Sequence, residues 1–280
     1  MPFDMALAEE KYGFIPMNHV EPQPFDIDVT KVYDASGRLI PGYKRIERTD
    51  TGDTLAVHED TYTVIPYGDT NDLLMDTISD SDLDMTDMMI HEDMSANGAK
   101  YWREYVFPKH ICPMPDGSDQ VLRIVTQNSL DKSSSFNVRA GAYRFVCANG
   151  ALIGVEAANF RVNHTKNAGM RVQSGVEALV DIASTFDAAM TRQSKWVDVD
   201  LAPADFAEAV AKALPQCSEN LANQMLAAYI TEPSNLWSAY NVLTSWASKP
   251  IRGDRKTVHD RQLRVARTVE HKAWRELEAA

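Results

Sequence analysis

Cysteine is scarce in this chain: Cys112, Cys147 and Cys217 are its three copies, and no two stand in C-x-x-C spacing. An odd number without paired spacing argues against a disulfide framework and suits reduced thiols. Long apolar runs are lacking too. Nothing approaches the ~20 residues that span a bilayer as a helix, so no membrane segment is expected. The first residues, MPFDMALAEEKYGFIP, have no cationic start followed by an apolar stretch, and no secretory signal is expected. There is no internal repeat, no long low-complexity tract and no motif that dictates a reaction.

What the chain does have is an ordinary globular composition and an uneven charge. Hydrophobic residues make up 44% and charged residues 24%, enough for one large domain or two modest ones. The net charge is −12, which repels nucleic acid at long range. Residues 1–98 carry a balance of −15, residues 99–172 of +5 and residues 173–280 of −2. Within the last third, Lys249 to Arg275 holds nine basic and three acidic residues. Screening acts beyond about 8–10 Å, so local cationic patches decide contact.

Residues 1–58 are rich in Pro, Asp and Gly and read as an extended N-terminal arm with little core of its own. Residues 59–172 read as an α+β core. Its first strand runs through Tyr62, Val64 and Ile65 and is stopped by Pro66 and Gly68, and Asn71 or Asp72 is expected to cap a short helix. From Lys100 the hydrophobic period becomes two. KYWREYVFPK, VLRIVTQNS, FNVRAGAYRFVCANG and AANFRVNHT then follow as antiparallel strands, with PMPDGS as a turn. Residues 173–280 turn helical. Val176, Leu179, Val180, Ala183 and Phe186 form a stripe at helical spacing. Pro203 opens a helix, Ser218 caps one, and Thr231 caps another that carries Trp237, Tyr240, Leu243 or Thr244, and Trp246 at helical steps. The expected fold is α+β: a central antiparallel β-meander packed on helices, with an all-helical C-terminal third ending in a basic helix.

The segments YTVIPYGD, RIVTQNSLDKSSSF, YRFVCANGAL followed by FRVNHT, and NLWSAYNVLTSWAS stand in that order over roughly residues 60 to 250. Together they resemble the phage/plasmid-like protein family catalogued as domain of unknown function 932, including its Arg-x-Val-Cys-x-Asn motif and its Trp…Asn…Thr helix. Where that family has His-Asp-Gly at a turn, this chain has Leu130-Asp131-Lys132. The resemblance implies a phage or plasmid origin and a cytoplasmic product, and supplies no reaction. The family's order of elements is similar to the core of phage single-strand annealing proteins, an analogy of fold alone.

The middle strands carry Lys132, Arg139, Arg144, Asn149, Arg161, His164 and Lys166, with Tyr143 among them. These suit a sheet face that tracks a phosphate backbone, with Tyr143 or Phe145 as a stacking surface worth about 1–3 kcal/mol per base. The bland alternative is a solvated face with scattered arginines. Arg139 and Arg144 are five apart and face opposite sides unless Gly141 introduces a bulge. Cys147 reads as a small core residue before an Asn149-Gly150 turn, or as a nucleophile served by His164. His110, Cys112, Cys147, His164 and Cys217 fit no zinc-site spacing. Asp80-x-Asp82-x-Asp84 opens like a calcium loop but has Met85 and His91 where Gly and Glu are required. The basic terminal helix, with Arg255, Lys256, Arg261, Arg264, Arg267, Lys272 and Arg275, suits a nucleic-acid groove or an acidic partner such as the N-terminal third.

The expected function is non-enzymatic: a phage-type, cytoplasmic, homo-oligomeric protein that binds single-stranded DNA and aids annealing, recombination or replication. Lys132, Arg139, Arg144, Arg161, His164 and Lys166 are its expected phosphate contacts, Asn149 a donor to phosphate or base, and Tyr143 a stacking platform. No catalytic residue, cofactor or metal is assigned. One alternative is a metal-dependent nuclease using carboxylates from Asp80 to Asp93. Another is an acidic interaction or regulatory factor of a phage, with a host or phage protein as partner.

Overall fold

In the computed structural model, which describes residues 4–19, 24–144, 149–152, 159–177, 181–215, 217–249 and 255–279, the segment Asp119–Ser129 (β7) is buried along almost its whole length. A strand buried on both faces needs a covering layer on each side. Among the described residues β7 lies inside a seven-stranded sheet. Its neighbours run in the order β1 (Ile15–Pro16), β5 (Met89–Met94), β6 (Lys100–Pro113), β7, β8 (Phe136–Arg144) and β10 (Asn159–Val162). Strand β9 (Asn149–Leu152) pairs with the second half of β8, where β10 does not reach. Every pairing is antiparallel, and β5 to β8 form a meander.

One face of this sheet presents Ile90, Tyr105, Phe107, Leu122, Ile124, Phe136 and Val138. They meet Leu74 and Ile78 of α2 (Tyr67–Ser79), Val172 of α3 (Ala168–Glu177), and Phe186 and Met190 of α4 (Ile182–Ser194). The opposite face is covered in two places. Ala8 of α1 (Met5–Tyr12) and Phe14 pack with Met89, Val106, Val121 and Tyr143. Leu263 and Ala266 of α8 (Arg255–Glu270) lie on Val125. A second core joins α5 (Pro203–Ala213), α6 (Glu219–Ile230), α7 (Leu236–Ser248), α8 and α9 (Lys272–Glu278) around Trp196, Phe206, Tyr229, Trp237, Tyr240, Val265 and Trp274. The fold is α+β, with a central antiparallel meander between helices and an all-helical C-terminal third. Among the described residues no helix is long and apolar enough to cross a membrane.

The local chemistry differs from the sequence expectation at several ends. Residues before 58 are more built than their Pro and Gly content suggests. The strands β2 (Ile27–Tyr33), β3 (Leu39–Arg48) and β4 (Thr54–Glu59) form a separate antiparallel sheet. Its Ile46 and Leu55 pack with Tyr62, Tyr67, Tyr101 and Leu130. Helix α2 starts after Pro66, so Asn71 lies inside it and is buried rather than capping. Pro203 opens α5 and Ser218 caps α6 by accepting from Leu221 N, as their residue types predict. Asn235, not Thr231, caps α7. The stripe from Val176 to Phe186 spans two helices, and Leu179 and Val180 lie outside the described residues. The basic end is likewise two helices, split where the His271 side chain caps α9.

Candidate nucleic-acid interface

Strand β8 pairs with β7 from Val121↔Tyr143 to Gln127↔Asn137 without a register shift. Gly141 therefore makes no bulge, and Arg139 and Arg144 project from opposite faces. The expected phosphate contacts divide accordingly. Arg144 donates to Asp116 Oδ2 at 2.9 Å and to Asn241 Oδ1 at 3.1 Å, which makes it a brace between the β6–β7 turn and α7. Asp116 Oδ2 also accepts the Trp237 indole N–H at 2.7 Å. Burial alone would raise the Asp116 pKa, but hydrogen bonds from Ser118 and Trp237 and the charge of Arg144 hold it below the usual carboxylate value. A cleft of about 450 Å³ adjoins this brace.

Lys132 pairs with Glu59 at 3.4 Å and sits 5.3 Å from the Tyr62 ring centre. His164 stacks on the same ring, centroids 4.9 Å apart, and its Nδ1 lies 3.0 Å from the Thr63 carbonyl oxygen. These two residues thus serve the join between β4 and the main sheet. Tyr143 is buried against Phe14 at 5.5 Å and is not presented for stacking, because the α1 segment covers that end of the sheet. Lys166 is exposed. The Asn149 side chain, and Phe145 and Cys147 altogether, lie outside the described residues.

Arg139 and Arg161 are brought together. Arg161 is opposite Asn137, and Arg139 follows two residues along β8 on the same face. Arg139 is only 9% exposed, and its one hydrogen-bonding partner among the described residues is Asn137 Oδ1 at 3.3 Å. Burial lowers its pKa first, the charge of Asp260 opposes this most strongly, and Arg161 and Arg267 lower it further. Arg161 and Arg267 are exposed. Arg161 donates to Ser135 Oγ at 3.0 Å. Among the described residues no carboxylate lies within ion-pair distance of Arg139, Arg161 or Arg267. Beside Arg139 runs a polar row set by register, Trp102, Gln127, Asn137 and Arg161. The buried indole nitrogen of Trp102 has no hydrogen-bond partner among the described residues. Three cations held together with one of them buried is a costly arrangement that an anion relieves.

Arg267 is the residue of this group that the central strands could not reveal. Its signal was the basic terminal helix, and only the seating of Leu263 and Ala266 on Val125 brings that helix over the sheet. The carboxylates from Asp80 to Asp93 do not converge. Asp80, Asp82 and Asp84 are exposed, and Glu92 and Asp93 are adjacent on β5 and face opposite sides. Among the described residues no group of three or more His, Cys, Asp or Glu is gathered as a metal site.

A family model described as Domain of unknown function (DUF932) matches residues 54–279. The chain belongs to that family. The match includes β4 to β10 and all helices from α2 onward, so Arg139, Arg161 and Arg267 fall within it, whereas α1 to β3 precede it. No curated protein and no solved structure matches the sequence.

Proposed function

We propose that this member of the DUF932 family binds single-stranded DNA through the cations that meet where β8 and β10 approach α8. In this reading it is a non-enzymatic, phage- or plasmid-type protein, working in the host cytoplasm in annealing, recombination or replication. The observation that carries the reading is Arg139: a guanidinium 9% exposed, with no carboxylate at ion-pair distance among the described residues, where the charge of Asp260 is set against those of Arg161 and Arg267. A strand of phosphates adds counter-charge to that of Asp260 at several points at once. The acidic remainder of the protein restricts attraction to this short-range patch, since its field is screened within about 8–10 Å. Self-association belongs to the same reading. The small sheet leaves Tyr43 and Val57, which share the face opposite Ile46, each at least 46% exposed, a surface that a second copy can cover.

Fluorescence anisotropy with a labelled oligo-dT over a salt series tests it. Each phosphate contact on a single strand contributes about −0.7 to the slope of log K against log salt. Arg161→Ala with Arg267→Ala is expected to flatten the slope by about 1.4. Salt-independent or absent binding by the unaltered protein, or an unchanged slope in the double variant, overturns the reading. A sizing run with and without the oligonucleotide checks self-association.

A further inference from the structure

Arg267 belongs to two places at once. Besides acting on Arg139, it lines a pocket of about 240 Å³ together with Arg264, Leu214, Leu221 and Trp246. The remaining walls are Pro215 and Cys217. The interior is therefore apolar, and the charged groups are two exposed arginines of α8 for which no carboxylate partner exists among the described residues. Drug-sized ligands occupy sites of about 300–1,000 Å³, so this pocket suits a single small ring system. The Trp246 ring is half-buried, and the Arg261 guanidinium holds it from 5.1 Å. A flat wall, an apolar interior and cations at hand describe a seat for a base whose phosphates are gripped outside.

Resting on the DNA-binding reading above, we infer that this pocket receives a nucleobase of the bound strand, stacked on Trp246, while Arg264 and Arg267 hold the adjoining phosphates. The Trp237…Trp246 helix then has a division of labour. Trp237 is committed to Asp116, whereas Trp246, with Arg261 over its ring, forms a wall of the pocket. Stacking is tolerant of sequence because every base offers a flat face, so the pocket contributes affinity without base identity.

The experiment compares labelled oligo-dT with an abasic oligonucleotide of equal length, on the full chain and on Trp246→Leu and Trp246→Phe. The unaltered protein is expected to prefer the base-bearing strand by about 5- to 150-fold. Trp246→Leu should lose that preference while keeping the abasic affinity and the salt slope, and Trp246→Phe should retain much of it. Equal binding of both strands by the unaltered protein overturns the pocket assignment yet leaves the phosphate contacts standing, as does a preference that survives Trp246→Leu. Photocrosslinking of an iodouracil-substituted strand gives a readout independent of variant folding: an adduct at Trp246 supports the assignment, and adducts only elsewhere overturn it. Absence of salt-sensitive binding to either strand removes the DNA reading and the pocket's role together.

Discussion

Trp237 and Arg144 share one acceptor: the indole N–H at 2.7 Å and the guanidinium at 2.9 Å both end on Asp116 Oδ2. The contact fastens the turn between β6 and β7 to α7, and so fastens the sheet to the helical third. Asp116 is partly buried, so Asp116→Ala leaves both donors under-satisfied. A loss of about 2–3 kcal/mol in urea unfolding is expected. The sign of the pH effect follows from the lowered pKa of Asp116. Its contribution is complete above the unfolded carboxylate value near 3.8 and fades as pH falls through the lower folded value. Asp116→Asn should remove that part of the acid dependence. Arg144→Ala should weaken the fold without changing the salt slope for DNA, and a flattened slope would place Arg144 back among the phosphate contacts.

Arg139 sets stability against binding. A buried guanidinium with no carboxylate at ion-pair distance among the described residues destabilises the folded protein, and an apolar residue of similar length removes that cost. Arg139→Met is expected to leave the unfolding midpoint unchanged or raised, and to lower the salt slope for oligo-dT by about 0.7. A fall in stability of more than about 1 kcal/mol would mean that Arg139 serves the fold, through Asn137 and Asp260, rather than an anion.

Much of this was legible in the sequence, and the rest has identifiable reasons for not being so. Period-two alternation after Lys100, the PMPDGS turn, Pro203 and Ser218 encode local geometry, and what they predict is present except at one strand: β8 ends at Arg144, and Asn149 and Gly150, expected as a turn, pair back on it as part of β9. Strand parity puts Arg139 and Arg144 on opposite faces unless Gly141 bulges, and only the unbroken register of β8 decides against the bulge and against their sharing one face. What a sequence does not encode locally is which far segment covers which face. Tyr143 reads as a free aromatic until Phe14 and Ala8 are seen over it. Arg144 reads as a free cation until Asp116, 28 residues away in the chain, is seen beside it. Arg267 joins the site only through α8 lying across Val125.

His164 gives a pH dependence in the mildly acidic range. Burial lowers its pKa from the ordinary 6.5, the Thr63 carbonyl partly opposes this, and nearby His58 lowers it further. The unfolded chain therefore takes up the proton first as pH falls. The stability contributed by the neutral ring is complete above 6.5 and declines below it until the folded value is reached. Thermal melts between about pH 7 and pH 5 should show a declining midpoint that His164→Leu makes flatter, since leucine keeps an apolar group against Tyr62. Equal slopes in both proteins would place the titration elsewhere.

The DNA reading also depends on how α8 is held. Arg123 is 1% exposed and donates to Glu104 Oε2 at 3.3 Å and to Gln262 Oε1 of α8 at 2.8 Å. Its guanidinium also lies 5.6 Å from the Tyr143 ring centre. Glu104→Gln removes the negative partner of a buried cation, and a cost of about 3–5 kcal/mol is expected. Replacing both members, Glu104→Leu with Arg123→Met, removes charge and counter-charge together and should cost much less. Gln262→Leu is the more telling variant for function. It touches no proposed phosphate contact, yet it releases α8 from the sheet beside the residues that bring Arg264 and Arg267 over it. If those arginines act with Arg139 and Arg161 as one surface, Gln262→Leu should weaken oligo-dT binding at low salt while far-ultraviolet circular dichroism stays unchanged. Unaltered affinity would mean that the α8 arginines bind independently of where the helix sits on the sheet.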